Sequence, residues 1–277
     1  MLRLHESFLA YRGFRHLKLS MAVLAAAVLL YVTQDPPGGR SGDTWVGYTL
    51  GTVAALLVVW LMLFGVRKRR YASSGAPLRG WLSAHVYLGT VLLLLVPLHT
   101  GFNFGANLHT VAYVLVCTVV ASGAVGVAIY TTVPQRMTEN RPGQKLQGLL
   151  EQIAAVDGDC KRLAVDLPNP VAAVLDRSIE ETIIGGGIVR QVWGGGSLSR
   201  IDQALRVLER HQAEKPARDG VKQVVERLEL KRMLLTRVRR DVKLKALLDA
   251  WLVLHVPLAF CAVFAVVAHT VMVFYYR

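Results

Sequence analysis

The chain has 277 residues, of which 53% are apolar, and it carries a formal net charge of +13 at pH 7. Its apolar residues come in long runs, which excludes an ordinary soluble domain and indicates a membrane protein. The basic residues lie mainly between these runs, so we attribute the charge to membrane topology and to attraction to anionic lipid headgroups, and not to nucleic-acid binding.

Five apolar runs are close to the length of about 20 residues with which a helix crosses the hydrocarbon core. They cover residues 17–32, 45–66, 81–100, 108–130 and 247–274. The first resembles a signal peptide in its basic start, but no small-residue cleavage site follows, so we expect a retained anchor. The predicted fold class is an all-α membrane protein of about five transmembrane helices. Its predicted domains are helices one to four (1–130), a mostly helical cytoplasmic insert (131–246) and helix five (247–277).

Lys and Arg residues predict the orientation of these spans. Four basic residues lie at or before the start of the first span and five lie between the second and third, whereas 101–107 has none. The positive-inside rule then places the N-terminus and the insert in the cytoplasm and the C-terminus outside. We therefore expect a multi-pass protein of the inner, cytoplasmic membrane.

The third and fifth spans share the motif W-L-x-x-H-V-x-L, followed in each by His-Thr. Its histidines are His85 and His99 in the first copy and His255 and His269 in the second. Fourteen residues make just under four helical turns, so both histidines of a copy project from nearly one face, about 21 Å apart along the axis. Both spans run in the same direction, which puts His85 level with His255 near the inner face and His99 level with His269 near the outer face.

Paired imidazoles at two depths suit two flat metal cofactors. A lone histidine in an apolar run is more often a packing residue, but ionisable groups inside a membrane are costly and usually functional. Neutral imidazole suits haem iron, and two axial imidazoles leave no open position, which favours electron transfer over catalysis at the metal. Zinc would need three or four ligands at one depth. The three cysteines form no disulfide framework, and no CxxCH motif is present for thioether attachment.

A flat cofactor also needs space beside the neighbouring helices, and small residues supply it. The second span carries Gly51 and Gly65, and the fourth carries Ala112 and Gly126, again fourteen residues apart. Gly65 and Gly126 are predicted at the inner level, and Gly51 and Ala112 at the outer level. For any one of these residues, simple close packing of helices explains the sequence equally well.

Cationic partners for inner propionates are expected at Arg79, Arg67 and Lys245, although positive-inside flanking explains them as well. At the outer level only Asn103, Thr100, Arg40, backbone or water remain.

Two prolines fall inside the motif spans. Pro97 and Pro257 each remove a helix hydrogen bond and leave the carbonyls of Leu93 and Val253 without their usual donor. These prolines either kink the helices around the cofactors or are simply tolerated in a membrane helix.

Together these features resemble the four-helix dihaem core of membrane b-type cytochromes, such as the cytochrome b of quinol-oxidising bc complexes. In that family, histidine pairs with this spacing lie on two helices of the core, and small residues on the other two accommodate the porphyrins. The resemblance implies two b-type haems (iron), one held by His85 with His255 and one by His99 with His269. It also implies transmembrane electron transfer within a larger redox complex, with other redox subunits or soluble electron carriers as partners.

Two alternatives stay open. The protein could exchange electrons with a membrane quinone, although no quinol-site motif of the bc type is present, which leaves open whether it is part of an oxidoreductase. It could also be a haem-free bundle whose histidines bind an ion or relay protons.

The insert carries no recognisable flavin, NAD or iron–sulfur motif. Helical periodicity is predicted at 145–156, 200–212 and 221–248, with a strand pair or loop at 182–193. The helix at 221–248 is expected to continue into span five. Its basic residues, which include Lys231, Arg232 and Arg237, are expected to face lipid headgroups or a soluble redox or regulatory partner, with a structural cap as the alternative.

Overall fold

A computed structural model of the chain describes residues 7–69, 77–141, 143–165, 167, 169–180, 196–214 and 219–275. Within these ranges no strand occurs, and the predicted all-α fold is confirmed. The segment 182–193, predicted as a strand pair or loop, lies outside the described residues.

A short 3-10 turn (Phe8–Ala10) precedes the first helix, and the helices follow in chain order. They are α1 (Tyr11–Thr33), α2 (Trp45–Arg69), α3 (Leu78–Thr100), α4 (Leu108–Asn140), α5 (Leu146–Ala164), α6 (Asn169–Glu180), α7 (Gly196–Glu214) and α8 (Asp219–Tyr275). In the described part of the chain, α1 to α4 and α8 are long and apolar enough to cross a membrane, which confirms the five predicted spans. Helix α8 continues without a break from the insert into the fifth span, as the sequence predicted.

The chain forms two compact units, one of which contains Met1–Val125 and Val253–Arg277. In this unit α3 packs against α2 and α1 through apolar side chains, among them the fully buried Val91 and Leu95. Many other large apolar side chains point outward, such as Phe264 with 76% of its surface exposed. An aqueous protein would not leave so many exposed, whereas helices surrounded by lipid tails do.

Helix α3 ends at a left-handed residue, Gly101 (φ 64°). The amide of Phe102 donates to the carbonyl of Pro97 at 2.9 Å, which satisfies one of the last carbonyls of the helix. A Cβ at position 101 would collide with the carbonyl of Arg40. Glycine is therefore required both by the backbone conformation and by the approach of the α1–α2 connection.

The second unit, Gly126–Leu252, has its own apolar core. Buried side chains on α8 recur at intervals of four and three residues, which is the spacing of a helix that packs along one stripe. They are Val224, Leu228, Lys231, Leu235 and Val238, and they lie in the same core as residues of α5 and α7.

One of these buried residues corrects a prediction. Lys231, expected on an exposed basic face, has no exposed surface. Its Nζ lies 2.6 Å from Oδ1 of Asp157 and donates to the carbonyl of Ser178 at 3.2 Å. Lys231 occupies an inward position of the repeat, and a buried ammonium requires a carboxylate and further acceptors, which α5 and α6 supply.

Helix α4 extends ten residues beyond the predicted end of its span and contacts α8 at its last turn. The Asn140 amide donates to the carbonyl of Arg237 at 2.7 Å and to Oδ1 of Asp241 at 2.8 Å, and Arg141 forms an ion pair with Oδ2 of Asp241 at 2.5 Å. Asp241 is 1% exposed, so its charge depends on these two partners.

Candidate functional site

His99 lies in the last turn of α3, and its ring is fixed by α2. Its Nδ1 is 2.7 Å from the carbonyl oxygen of Gly47. A carbonyl only accepts, so Nδ1 must carry the proton, and the lone pair of His99 is on Nε2. This is the arrangement found in most metal-binding histidines, where the second ring nitrogen donates to a backbone oxygen.

Gly51, one turn further along α2, contacts the same ring. A Cβ at Gly51 would lie 2.6 Å from Cε1 and 2.7 Å from Nδ1 of His99, closer than real side chains approach. Gly51 therefore makes room for the imidazole itself. Whether it also borders a porphyrin stays a prediction.

His269 of α8 meets His99 across the first unit. Their ring centres are 6.4 Å apart and their planes are inclined by 70°. Imidazole nitrogens bind metals at about 2 Å, as in zinc sites, so two rings on opposite sides of one ion have centres roughly 6 Å apart. The pair predicted from sequence for the outer level is thus brought together at a separation that suits a shared metal.

A third imidazole lies beside this pair. The ring centre of His109, in the first turn of α4, is 5.9 Å from that of His269, and its Nε2 lies 3.4 Å from the carbonyl of Asn103.

His255 is supported by a hydroxyl of α4. The Ser122 hydroxyl donates to the carbonyl of Val119 at 2.9 Å, and its oxygen lies 2.6 Å from Nδ1 of His255. The Ser122 hydroxyl thus orients the His255 ring through Nδ1, since a hydroxyl both donates and accepts. Gly123 follows Ser122, and a Cβ there would be in ordinary contact with the His255 ring at 3.7 Å.

His85 is held differently. Its Nδ1 is buried and forms no hydrogen bond of normal geometry within the described ranges, while the backbone of Leu61 on α2 lies near enough to interact with the imidazole. Its ring centre lies 4.9 Å from that of Phe64 on α2, with the planes inclined by 37°. His85 and His255 lie within electrostatic range of each other.

The remaining small residues have unequal surroundings. A Cβ at Gly65 would have no neighbour within 4 Å, so space is open there. At Gly126, the indole of Trp251 packs directly against the backbone, and a Cβ at that position would collide with it. Ala112 is buried, with 6% of its surface exposed. None of these contacts tests whether the residues border a porphyrin, and those assignments stay predictions.

The predicted propionate partners are already engaged. Arg40 lies over the ring of Tyr31 at 4.8 Å, and its guanidinium donates to carbonyls at the end of α1. Asn103 donates to the carbonyl of Arg40, and Thr100 donates to that of Pro97. Arg79 is partly buried in the first turn of α3 and also has an interaction partner.

The carbonyl of Leu93, which lacks its usual backbone donor because of Pro97, accepts a side-chain hydrogen bond instead. The Tyr113 hydroxyl of α4 donates to the carbonyl of Leu93 at 3.0 Å. In the hydrocarbon region no water replaces a lost backbone hydrogen bond, so the phenol satisfies a group that would otherwise be costly. The sequence identified the unsatisfied carbonyl but not Tyr113.

The donor set fits a bis-imidazole haem better than a bare ion. The Nδ1 bond of His99 leaves its Nε2 lone pair for a metal, Ser122 orients the ring of His255, and His85 has a buried Nδ1 without a hydrogen bond of normal geometry in the described part of the chain. Among the described residues, no group of three or more His, Cys, Asp or Glu side chains could hold a metal ion. Two ligands suffice for a metal that a macrocycle already coordinates, whereas zinc needs more.

No protein-family model, curated protein or solved structure matches this chain. The resemblance to membrane b-type cytochromes therefore depends on the histidine spacing and on the contacts described above.

Proposed function

We propose that this protein transfers electrons across a membrane through two b-type haems, one between His85 and His255 and one between His99 and His269. The observation that carries the proposal is the approach of His99 and His269 to 6.4 Å, with the His99 ring fixed at Nδ1 by Gly47. These histidines are far apart in sequence, and local helix packing gives no reason for two imidazoles to meet inside apolar spans.

Bound haem would supply reversible one-electron chemistry at iron. The four histidines would hold the haems, Gly47 and Ser122 hold the rings of His99 and His255, and the surrounding apolar side chains exclude water. A haem held by two imidazoles would supply electron transfer rather than binding of oxygen or substrate. We further propose the cytoplasmic membrane as its location, with the N-terminus inside, and other redox subunits or soluble carriers as its partners.

Replacement of the ligands tests the proposal. We expect His85→Leu or His255→Leu to remove one low-spin haem, and His99→Leu or His269→Leu to remove the other. Haem per polypeptide and the reduced-minus-oxidised spectrum measure this, and His16→Leu, a histidine outside the four, serves as the matched control that retains both. Two haems in all four ligand variants, or none in the purified wild-type protein, would exclude the proposal.

A second candidate function follows from His109. The His269 ring lies next to both the His99 ring and the His109 ring, and neighbouring imidazoles can pass protons to one another. A haem-free proton or ion pathway is therefore the alternative. A purified protein without a Soret band whose proton conductance in vesicles is lost in His109→Leu would favour this candidate.

A further inference from the structure

The proposed ligands differ in what fixes their rings. Nδ1 of His99 has a carbonyl partner and Nδ1 of His255 has a hydroxyl partner, whereas Nδ1 of His85 is buried without a normal hydrogen bond among the described residues. A bond at the second nitrogen usually sets the rotation of a metal-binding imidazole. The backbone of Leu61 on α2 interacts with the His85 imidazole, but Nδ1 of His85 has no hydrogen bond of normal geometry, so its ring has weaker polar support than that of His99.

Phe64 provides a contact of the right kind. Its ring lies 4.9 Å from the His85 ring at an angle of 37°, within the range of favourable aromatic pairs. Phe64 belongs to α2, the same helix whose Gly47 holds His99. One helix thus supports both histidines of α3, the first by ring contact and the second by hydrogen bonding.

A second aromatic contact lies one turn away on each helix. Trp60, four residues before Phe64, stacks on Trp81, four residues before His85, with ring centres 5.3 Å apart and planes within 8°. Because Gly51 contacts His99 while Phe64 contacts His85, α2 and α3 run antiparallel, and the step from Phe64 to Trp60 goes in the opposite direction from the step from His85 to Trp81. The two aromatic contacts therefore both join α2 to α3 around the His85 ring.

The second copy of the motif uses a related solution. Its tryptophan, Trp251, contacts Tyr130 of α4, with ring centres 6.4 Å apart. The motif tryptophan meets an aromatic ring in both copies, while the support of the following histidine changes from Phe64 to the Ser122 hydroxyl.

We propose that Phe64 is the positioning residue of His85, whose ring it holds by an aromatic contact beside the weak polar contact with the Leu61 backbone. The part of this inference that concerns a haem ligand rests on the proposed function. The ring contact between Phe64 and His85 is present without a cofactor.

The first experiment uses the full-length protein in its haem-free form. With 15N-labelled histidine, the His85 ring signals are assigned by comparison with His85→Gln, and nuclear Overhauser contacts to the Phe64 ring are recorded. We expect direct contacts and one set of ring signals in the wild type. In Phe64→Leu the ring signals should broaden or split, because the imidazole samples several rotations.

The second experiment uses the haem-loaded protein. The largest g value of a low-spin ferric haem depends on the relative orientation of its axial imidazoles, so electron paramagnetic resonance reports ring rotation directly. We expect Phe64→Leu to shift the signal that is lost in His85→Leu and to leave the other signal unchanged. Phe64→Tyr, which keeps the ring, should restore the wild-type value, and Phe264→Leu on the exposed face of α8 is the matched control.

The outcomes separate the two proposals. A wild-type spectrum in Phe64→Leu, or equal changes in both haem signals, overturns the role of Phe64. A single set of sharp His85 ring signals in haem-free Phe64→Leu overturns it as well, and so does a mobile His85 ring in haem-free Phe64→Tyr. A protein that binds no haem but shows the Phe64–His85 contact contradicts the proposed function and leaves the ring contact standing.

Discussion

At the scale of single residues, glycines on one helix face very different surroundings. Gly51 is closed off by the His99 ring, whereas a Cβ at Gly65 would have no neighbour within 4 Å. The two residues share a helix, a fourteen-residue spacing and an apolar context, so a methyl group added at each makes a matched comparison.

We expect Gly51→Ala to destabilise the protein even without haem, because the methyl group must displace the imidazole or the helix. Overpacking of this kind costs about 1–3 kcal/mol. Gly65→Ala should leave the stability of the haem-free protein unchanged. Thermal unfolding in detergent measures both, and equal stability of the two variants would contradict the close contact at Gly51.

The same variants test whether Gly65 borders a porphyrin. If it does, Gly65→Ala should lose the haem that is lost in His85→Leu and should keep the other one.

Cys160 offers a second residue-scale test, in the insert. Burial, followed by the neighbouring Asp157, raises the pKa of its thiol to about 11. Thiol reagents attack the thiolate, so at pH 8 we expect Cys160 to react roughly a hundredfold more slowly than a free cysteine with its pKa of about 8.5. Maleimide labelling of a Cys117→Ser, Cys261→Ser variant checks this, with the urea-unfolded protein as control. Fast labelling of the folded protein would contradict a buried thiol.

The raised pKa of the Cys160 thiol also makes the stability of the fold depend on pH. The folded state holds the Cys160 proton more tightly than the unfolded state, so the contribution of this group is complete below about pH 8.5 and falls as the pH rises toward 11. Cys160→Ser removes that dependence, and a comparison of unfolding between pH 8 and pH 10 measures it.

Which residues carry the site could be predicted only in part. The four histidines could be found because helical spacing and the repeated motif are properties of the sequence itself. Ser122, Gly47 and Phe64 could not be found in this way, since each acts through a contact between two helices whose rotation no local pattern fixes. Their positions, within a turn or two of residues expected to face the histidines, are the only signal that the sequence offers.

At the scale of elements, the insert is held by a buried ion pair between two helices. Lys231 of α8 is fully buried, and Asp157 of α5 is its carboxylate partner. Such pairs contribute less to stability than to register, because removal of the charges from water is costly. Loss of one partner alone is the damaging change.

We expect Asp157→Ala to destabilise the insert by about 3–5 kcal/mol, because it leaves the Lys231 ammonium buried without a counter-charge. The double variant Asp157→Leu, Lys231→Met should be close to the wild type, since it replaces the pair by apolar side chains of similar size. Unfolding of the full chain followed by circular dichroism distinguishes them. A double variant as unstable as Asp157→Ala would show that the pair itself stabilises the fold.

Element boundaries show where sequence reasoning stops. Apolar runs located the spans because hydropathy marks the hydrocarbon core, but hydropathy does not mark the end of a helix. Helix α4 therefore continues to Asn140, past Pro134, and α8 begins at Asp219. Helix α6 was not predicted at all: it is short, and its apolar residues gave no long periodic pattern. The inward face of α8 was likewise misjudged at Lys231, since a lysine in a basic stretch gives no sign of its buried partner.

At the scale of the whole molecule, five helices of the described chain are long and apolar enough to cross a membrane, and five crossings would place the two ends of the chain on opposite sides. The side is predicted by the basic residues, of which the α3–α4 connection has none and the α1–α2 connection only Arg40, whereas five lie between the second and third spans. This orientation decides which histidine pair lies nearer to which donor or acceptor.

Labelling with an impermeant maleimide tests the orientation. In a variant whose three native cysteines are serine, we expect Ala106→Cys, in the exposed connection after α3, to be labelled in right-side-out vesicles. Glu151→Cys, on the exposed side of α5, should be labelled only after the vesicles are opened. The reverse pattern would place the insert outside and invert the assignment.

Pro97 and Tyr113 both affect the carbonyl of Leu93. Pro97 has no backbone N–H to donate to it, and the Tyr113 hydroxyl donates to it instead. Their contributions should therefore be thermodynamically coupled. Tyr113→Phe should cost about 1 kcal/mol when Pro97 is present and much less in a Pro97→Ala background, where the backbone amide of residue 97 bonds that carbonyl again. The proline in the third span thus depends on the phenol of the next helix for its hydrogen-bond balance. We expect substitutions at positions 97 and 113 to be tolerated better together than a loss of Tyr113 alone.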